Sequence, residues 1–397
     1  MTYSIQAVIP IKDLDSVAKP IADARGLPGS AYTNEAIFNY ERDHVLGETW
    51  AGLTLASELE NNGSLVPVDF MGIPLLVARD HEGNIRVFHN VCSHRGMTLV
   101  SEPKSRARSI RCPYHSWDYD FNGNLKATPL IGGVGVNTQA GFSCDKNALK
   151  TVRCHVWMGI IFINLSNEAP DFDEFISPLT KRWETFLGAE GLANIKVPEA
   201  QSRLDITIQA NWKLAVENYC EAYHLPWVHP SLNKYSPLNK HYNIVFTENM
   251  SGQGSYAYTL SDVAGTALPQ FKNWPQNQLK HAEYISLYPN VLLGLQVDHA
   301  FAMVIQPISC GVTIEKLQLL YVGEKALDEP FKASREAVLE SWRQVFSEDI
   351  FVVEGMQKAR YSPAFTGGVF SAVMDVPSHH FHQWVAEKYG ATSDESG

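Results

Sequence analysis

The sequence predicts an α+β protein built from two structural units of different character. Short strand-like segments separated by polar turns fill residues 48–164, and this pattern is typical of a small antiparallel β unit. After Ala169 the spacing becomes helical over 171–187 and 333–357, with further strand-like segments between them. A chain of 397 residues is long enough for two domains, each with a sizeable core.

Composition and charge exclude several classes of protein. The formal net charge of −11 argues against nucleic acid or anionic membrane as a partner, because both require a basic surface. No apolar run is long enough for a transmembrane helix, and the N-terminus lacks the pattern of a signal peptide. Six cysteines in a chain of this length do not make a disulfide framework. We therefore expect a cytoplasmic protein that binds neither nucleic acid nor membrane.

The first 45 residues contain several prolines and glycines and show no strong period. We expect an irregular arm with one short helix near 34–41. The strand-like segments of the β unit follow at 64–69, 73–79, 85–89, 110–112, 117–121 and 156–164.

Two loops interrupt this β unit, and each carries one cysteine and one histidine. Cys92 and His94 form C-x-H, and after 17 intervening residues Cys112 and His115 form C-x2-H. Two thiolates and two imidazoles can hold one tetrahedral zinc, or two irons with the cysteines on one and the histidines on the other. The usual zinc finger places both cysteines before both histidines, and this order alternates. The loops predict a metal centre.

The segment 211–224 predicts an amphipathic helix that carries acids and a histidine. Its aromatic and apolar residues at helical spacing are Trp212, Val216, Tyr219 and Tyr223. Glu221 and His224 lie on or near one face, and Pro226 is expected to end the helix at the preceding residue. His229 lies five residues after His224, and residues at that spacing face different ways on a straight helix. We expect a distortion at Pro226 to turn His229 back toward His224.

The late helix predicted over 333–357 carries an acid on its apolar stripe. Asp349 follows Val345 by four residues and precedes Val352 by three. A carboxylate on a buried face is costly unless it is paired or bound to a metal. Asp349 is therefore either half of a buried ion pair or a metal ligand, and Glu348 is the neighbouring alternative.

The cysteine and histidine loops, NVCSHRG and CPYHSWDYDFNGNL, closely resemble the two cluster-binding loops of the Rieske [2Fe–2S] domain. The resemblance implies that Cys92 and Cys112 bind one iron, and that His94 and His115 bind the other, solvent-facing iron. Ser116 stands where the family often has Gly, and it should still allow the tight turn.

The stretch NWKLAVENYCEAYHLPWVHP resembles the catalytic-helix pattern of the Rieske non-haem iron oxygenases, the family to which the cluster motif also points. The resemblance implies a mononuclear Fe(II) held by His224, His229 and Asp349. It makes Glu221 the catalytic carboxylate that bridges the cluster of a neighbouring subunit to the iron site, a place where most of the family has Asp. The alternative for Glu221 is a solvated glutamate on a helix face.

The family combines a small antiparallel β Rieske domain with a helix-grip (START-like) catalytic domain that has an antiparallel sheet and long helices. We expect an arm at 1–46 packed on the catalytic domain, a Rieske domain at 47–165 and a catalytic domain at 166–397. The resemblance also implies a head-to-tail homotrimer with electron transfer between subunits. Electrons come from NAD(P)H through a separate flavin and iron–sulfur reductase, with or without a ferredoxin.

The resemblance implies that the protein uses O2 to hydroxylate a small organic substrate. The Glu in ENYCEAYH looks like the branch acting on quaternary ammonium compounds such as carnitine, glycine betaine, choline or stachydrine, by monooxygenation and C–N cleavage. Aromatic-ring hydroxylation by a mono- or dioxygenase is the alternative. The candidate aromatic walls of a cation site are Trp227, Tyr256, Tyr288 and Phe301. A zinc-binding structural protein and a ferredoxin-like carrier are competing classes, and a carrier would leave the second half of the chain unexplained.

Overall fold

The computed structural model describes residues 5–198, 202–258 and 266–390. Within these ranges the strands form three antiparallel sheets, and helices flank the largest of them. This mixture of helix and antiparallel sheet is the predicted α+β class. One of the strand-like segments predicted between the two helical regions covers 254–260, and its last two residues lie outside the described residues. The last seven residues of the predicted catalytic domain lie outside them as well.

The first structural unit is built from short strands. They are β1 Ala51–Leu55, β2 Leu65–Phe70, β3 Ile73–Arg79, β4 Ile85–His89, β5 Ile110–Arg111, β6 Asp118–Tyr119, β7 Leu125–Ala127, β8 Thr151–Trp157 and β9 Ile160–Asn164. Six of them form a sheet in the order β1-β9-β8-β4-β3-β2, and β5, β6 and β7 form a small second sheet. The prediction of one strand over 156–164 is wrong. Met158 and Gly159 have φ values of 47° and 74°, so they form a tight turn between β8 and β9.

The second unit is organised on a long antiparallel sheet. Its strands are β10 Ile195–Lys196, β11 Arg203–Ile208, β12 His241–Thr247, β13 Met250–Ser255, β14 Ala282–Leu287, β15 Val291–Leu295, β16 His299–Ser309 and β17 Val312–Val322. The order is β10-β17-β16-β15-β14-β13-β12, and β11 pairs with β17 beside β10. One face of this sheet supports the helices that carry the candidate iron ligands.

Nine α-helical segments accompany the sheets in the described part of the chain. They are α1 Ile11–Ala18, α2 Ser30–Thr33, α3 Glu35–Tyr40, α4 Phe172–Leu187, α5 Trp212–Cys220, α6 Leu225–Val228, α7 Leu232–Tyr235, α8 Lys332–Arg360 and α9 Val376–Lys388. Helix α8 includes the whole predicted late helix. Helices α1 and α9 were not predicted, and α1 packs against α9 although the two are far apart in sequence.

The arm is more regular than the sequence predicts, and it packs on the base of α5. Helices α1 to α3 are followed by a π-helical turn at Glu41–Leu46. Within that turn, Glu41 is fully buried and accepts hydrogen bonds from Trp212 Nε1, at 2.9 Å, and from the ammonium group of Lys213. The arm shows no strong hydrophobic period because it is divided into several short helices.

The two large sheets meet at a close approach between β1 and the catalytic sheet. A Cβ atom added to Gly52 would lie 2.6 Å from Val291 Cγ2, so only glycine fits at this position. The side chain of Asn290 accepts from Gly52 N–H at 2.9 Å and donates to Gly52 C=O at 2.8 Å. These contacts fix the β unit against the sheet that supports the iron site.

Among the helices of the described ranges, none has both the length and the apolar composition needed to span a lipid bilayer.

Candidate metal centres

The first candidate centre lies at one end of the β unit, between two matching loops. Cys92 and Cys112 are both buried, whereas His94 is exposed and His115 is half-buried. The two imidazole rings lie 4.6 Å apart between centroids, and the ring of His94 stacks on Trp117 at 4.5 Å. The structure therefore brings together all four residues predicted from the spacing, with sulfur inside and nitrogen outside.

The backbone of the two loops follows the same plan. Cys92 C=O accepts from Gly96 N–H at 3.0 Å, and Cys112 C=O accepts from Ser116 N–H at 3.1 Å. Gly96 and Ser116 both have left-handed φ values, 71° and 58°. Ser116 thus makes the turn that glycine makes in the other loop, at the steric cost that a Cβ atom carries there.

The donor set fits a two-iron cluster. The buried Nδ1 atom of His115 has no hydrogen-bond partner among the described residues, so a bound metal would satisfy it. The hydroxyl of Tyr119 lies 3.2 Å from Cys92 Sγ. Burial raises the pKa of the Cys92 thiol, and thiolate ligation to iron would compensate that cost. Two inner sulfurs and two outer nitrogens match a cluster whose histidine-bound iron faces solvent.

The second candidate centre begins where α5 ends. Helix α5 stops at Cys220, because Glu221 is extended, with φ −125° and ψ 160°. The carboxylate of Glu221 accepts from the backbone N–H of Tyr223, and from that of His224 at 3.3 Å, as an N-cap residue would. The predicted helix is therefore confirmed over Trp212–Cys220, and its extension to residue 224 is wrong. Pro226 lies in the first turn of α6, a position that favours proline, and does not end a helix.

This break turns the two histidines toward each other and toward α8. The rings of His224 and His229 lie 5.2 Å apart between centroids. Asp349 Oδ1 lies 3.7 Å from His224 Nε2 and 3.0 Å from His229 Nε2. One ligand atom from each of the three residues lies within 4.8 Å of the other two. Two imidazole nitrogens and one carboxylate oxygen match the facial triad of non-haem iron enzymes.

Each of the two histidines is held from behind by a glutamate. His224 Nδ1 lies 2.6 Å from Glu221 Oε1, and His229 Nδ1 lies 2.8 Å from Glu348 Oε2. A proton on Nδ1 that is donated to a carboxylate leaves the lone pair of Nε2 free for a metal. Burial lowers the pKa of His229, but Asp349 and Glu348 outweigh burial, and the pKa lies above its usual value. Glu348, the neighbouring alternative to Asp349, thus contacts a ligand from outside the triad.

A cavity of about 60 Å³ opens in front of the triad. Its aromatic walls are Tyr219, Tyr284, Trp342 and Phe346. None of the described residues that line it is a lysine or an arginine. The predicted walls Trp227, Tyr256, Tyr288 and Phe301 do not line it. Trp227 and Tyr256 are exposed, Tyr288 is buried elsewhere, and Phe301 packs behind Trp342 at 4.6 Å between ring centroids.

One side of this cavity is polar, and its residues were not predicted from the sequence. His241 Nδ1 lies 2.7 Å from Gln253 Oε1, and its Nε2 lies 2.9 Å from Ser236 Oγ. Gln253 Nε2 donates to the Glu221 carbonyl at 3.0 Å, so its Oε1 accepts from His241. Burial lowers the pKa of His241. Through Gln253, the imidazole of His241 joins the cavity wall to the turn at Glu221.

A second, larger cavity of about 260 Å³ lies on the other side of His224. Glu217, Glu221 and Asp375 supply its carboxylates, and Arg360 and His382 line it as well. Burial and the charge of Glu221 raise the pKa of Asp375. Glu221 thus lies on the wall of this second cavity, while its carboxylate reaches His224.

Two family models match the chain. The model of the Rieske [2Fe-2S] domain matches residues 49–138, and the model of the ring hydroxylating alpha subunit (catalytic domain) matches residues 196–391. The chain belongs to the Rieske non-haem iron oxygenases, as an oxygenase subunit. The family predicted from two motifs is confirmed, and the zinc protein and the ferredoxin-like carrier are excluded.

Two relatives are similar to this protein over nearly the whole chain. The carnitine monooxygenase oxygenase subunit of Escherichia coli (strain K12) is 26% identical over 379 residues, which cover 92% of this chain and 94% of the relative. Choline monooxygenase, chloroplastic, of Atriplex hortensis is 26% identical over 393 residues, which cover 96% of this chain and 81% of the relative.

Solved structures share the fold. A quaternary ammonium Rieske monooxygenase superposes with a TM-score of 0.77 at 21% identity, over 95% of this chain and 98% of that chain. Naphthalene 1,2-dioxygenase from Rhodococcus sp. superposes with a TM-score of 0.71 at 17% identity, over 99% of this chain and 98% of that chain. The predicted pairing of a Rieske domain with this catalytic fold is confirmed.

Membership of this family determines the cofactors of the oxygenase. They are a Rieske [2Fe–2S] cluster and a mononuclear non-haem iron, with electrons supplied from NAD(P)H through a reductase. When bound, the iron supplies the open coordination positions at which O2 is activated. The donor sets described above fit both groups.

Proposed function

We propose that this oxygenase hydroxylates a quaternary ammonium compound at a carbon bonded to nitrogen. One oxygen atom of O2 enters the C–H bond, and the other leaves as water with two electrons and two protons. The hydroxylated carbon then loses its bond to nitrogen, which releases an aldehyde and a tertiary amine. The names of the carnitine and choline monooxygenases among the relatives support a quaternary ammonium substrate and a monooxygenase reaction.

The aromatic cavity in front of the triad is the observation that carries the proposal. A quaternary ammonium group has no N–H to donate, so ring faces can attract its charge without a hydrogen bond. Tyr284 and Trp342 lie 6.1 Å apart between centroids in an edge-to-face arrangement, and Tyr219 packs edge-to-face on Tyr284. None of the described residues in the wall is a lysine or an arginine, so no such side chain opposes the binding of a cation against the rings.

The residues of the chain have distinct roles in this proposal. Cys92, His94, Cys112 and His115 hold the cluster, and His224, His229 and Asp349 hold the iron. Glu221 and Glu348 orient the two iron histidines by accepting their Nδ1 protons at 2.6 and 2.8 Å. Aromatic walls exclude water from the space in which the substrate methyl group must lie.

We also propose that the cluster of a second copy docks at Glu221 in a head-to-tail homotrimer. The larger cavity places the carboxylates of Glu221 and Asp375 behind His224. The tip of the Rieske unit exposes His94 and Tyr114, and it carries Arg95 with its guanidinium 5.8 Å from the Tyr114 ring. A basic tip and an acidic receiving cavity are complementary in charge.

The domain limits proposed for this assembly are 1–46 for the arm, 47–165 for the Rieske domain and 166–397 for the catalytic domain. The two family matches fall inside the last two ranges. The reductase partner is a flavin and iron–sulfur protein, and the "oxygenase subunit" names of the relatives support a multicomponent system. A reducing cytoplasm suits a described chain whose six cysteines form no disulfide.

A substrate panel tests the function. Carnitine, choline and glycine betaine are compared with aromatic acids for coupled consumption of O2 and NAD(P)H in the presence of a reductase. We expect consumption and aldehyde release with at least one quaternary amine. Consumption with aromatic acids alone would reject the proposal and favour the aromatic-ring hydroxylase that naphthalene dioxygenase exemplifies.

A further inference from the structure

A separate cleft lies beside the iron cavity, between α7 and α8. It has a volume of about 70 Å³. By the same measure one water needs roughly 10–15 Å³, so the cleft has room for several waters or a small organic group. Its floor is formed by Leu232, Trp342 and Val345, and these three side chains also line the iron cavity. The cleft and the iron cavity are therefore separated by one layer of side chains.

The chemistry of the cleft matches a soft cation. Tyr235, Tyr258 and Trp342 supply aromatic rings, and the rings of Tyr258 and Trp342 are stacked at 5.9 Å between centroids. Glu348 supplies a carboxylate that is partly exposed, with 26% of its side chain accessible. None of the described lining residues is basic. Rings together with a carboxylate attract a quaternary ammonium group by cation–π contact and by charge.

The three side chains that separate the cleft from the iron cavity form a partition, and they differ in how firmly they are held. Trp342 is fixed, because its Nε1–H donates to His299 Nε2 at 3.0 Å while His299 Nδ1 lies 2.7 Å from Asp298. Leu232 and Val345 are partly buried apolar side chains without such anchors, on α7 and α8. Passage from the cleft to the iron cavity therefore requires rotation of Leu232 or Val345, with Trp342 as the stationary wall.

We infer that this cleft is an entry subsite, in which the quaternary ammonium head group binds before it passes Leu232 and Val345 into the iron cavity. The inference rests on the proposed function, since it takes the substrate class from it. The cleft binds the cation against Tyr235 and Tyr258, and Trp342 then contacts the same head group from either side of the partition. Substrate binding is thus a two-step process.

Anaerobic stopped-flow binding of choline to the holoenzyme, followed by tryptophan fluorescence, tests the inference. We expect the observed rate to rise with choline concentration and then saturate, with the half-saturation concentration reporting the affinity of the cleft. In Tyr235→Leu that concentration should rise by between about two- and thirtyfold, the range of a single cation–π contact. Tyr256→Leu removes an exposed tyrosine outside the cleft and should leave it unchanged. The neutral isostere 3,3-dimethyl-1-butanol should bind the cleft more weakly than choline.

A bulky side chain placed in the cleft distinguishes passage through the cleft from binding in the iron cavity. Ser341 lines the cleft and not the iron cavity, so Ser341→Trp should lower kcat/KM for the amine by about tenfold or more with kcat at saturation nearly kept. Association and dissociation rates should fall together, and iron content and cluster absorbance should match the wild type. Ala333→Trp, on an exposed part of the same helix, is the matched control.

The outcomes distinguish this inference from the proposed function. If the wild type oxidises the amine, but its binding rate never saturates or the cleft variants match their controls, the entry subsite is wrong and the function stands. If the wild type neither binds nor oxidises any quaternary amine, both are wrong.

Discussion

The Rieske loops and the iron site hold their histidines in opposite surroundings. His94 is exposed at the tip of the β unit, and no carboxylate hydrogen-bonds to it or to His115 among the described residues. His229 has only 2% of its side chain accessible, and it contacts carboxylates at 2.8 and 3.0 Å. Histidines at a surface can meet another molecule, whereas histidines that hydrogen-bond to acids are fixed in ring orientation. The first arrangement suits electron exchange, and the second suits holding a metal beside a substrate.

The largest effect is expected when one metal is removed and the other is kept. His224→Ala should lose the mononuclear iron and reduce turnover by about three orders of magnitude or more, because the triad loses one of its three ligands. The cluster should keep its visible absorption and its EPR signal, since its ligands lie on separate loops. Cys112→Ser is the reverse control and should lose the cluster. Retention of both metals in His224→Ala would mean that the ligand set is wrong.

A smaller effect is expected at Glu221, the residue proposed to link the cluster to the iron site. Glu221→Gln should keep both metals and slow turnover by about 10- to 100-fold, because an amide orients His224 but cannot accept protons as a carboxylate does. Single-turnover oxidation of the reduced cluster in the presence of substrate measures the step directly. Glu221→Asp, which keeps the charge on a shorter side chain, should retain more activity than the amide. An unchanged rate in Glu221→Gln would show that Glu221 is not the bridge.

The charge network around the iron site should also make its stability depend on pH. Glu217 is buried, accepts from Tyr32 at 2.5 Å and lies 3.3 Å from His382 Nε2 and 3.8 Å from Arg360. Burial raises its pKa, but His382 and Arg360 outweigh burial, so the pKa is lowered overall. Removal of one partner from a buried ionic cluster costs about 3 kcal/mol or more, and we expect this loss in the free energy of unfolding for Glu217→Gln at pH 7.5.

The sign of the pH effect follows from that lowered pKa. A carboxyl with a pKa below its unfolded value of about 4.3 stabilises the fold above that pH, and loses this contribution as pH falls through the folded pKa. Urea titrations should therefore show the difference between wild type and Glu217→Gln shrinking at acid pH. Asp173→Asn, which replaces an exposed acid on α4, should show little difference at either pH. If Glu217→Gln lost the same free energy of unfolding at pH 7.5 and at acid pH, the ionic explanation would be wrong.

The smallest effect is expected at the turn of the second cluster loop. Ser116 has a φ of 58°, where a Cβ atom is strained and glycine is not. Ser116→Gly should stabilise this loop by about 0.5–1 kcal/mol, seen as slower thermal loss of cluster absorbance. Ser105→Gly lies in the same unit at a residue without positive φ and should be neutral or destabilising. A loss of stability in Ser116→Gly would show that the hydroxyl group has a role of its own.

The cluster could be predicted from the sequence because its ligands lie within two short loops. The spacing of Cys92, His94, Cys112 and His115 specifies the donor set without any knowledge of the fold. The strands over 73–79 and 85–89 were predicted residue by residue, because an apolar run and a polar turn are local signals. The turn between β8 and β9 was missed although it contains Gly159, because the apolar residues on both sides of Met158 and Gly159 were interpreted as one continuous strand.

A full description of the iron site required both the sequence and the tertiary structure. The motif and the apolar stripe of α8 indicated His224, His229 and Asp349, and Trp342 lies on that same stripe seven residues before the acid. Nothing in the sequence placed His241 or Tyr284, because a strand pattern shows which residues share a face but not what that face borders. The end of α5 at Cys220 was also missed, since Glu221 caps the turn with a side chain that ordinarily favours helix.

The sequence by itself determined the family, the ligand types and the alternation of strands and helices, because each follows from residues close together in the chain. Tertiary structure decided which aromatic rings face the metal, which glutamate holds which histidine, and that a second cleft lies one side chain away from the iron cavity. These depend on contacts between segments that are far apart in the chain, such as His229 and Asp349, which are separated by 120 positions. Local physics selects the elements, and only their packing selects the surroundings of a metal.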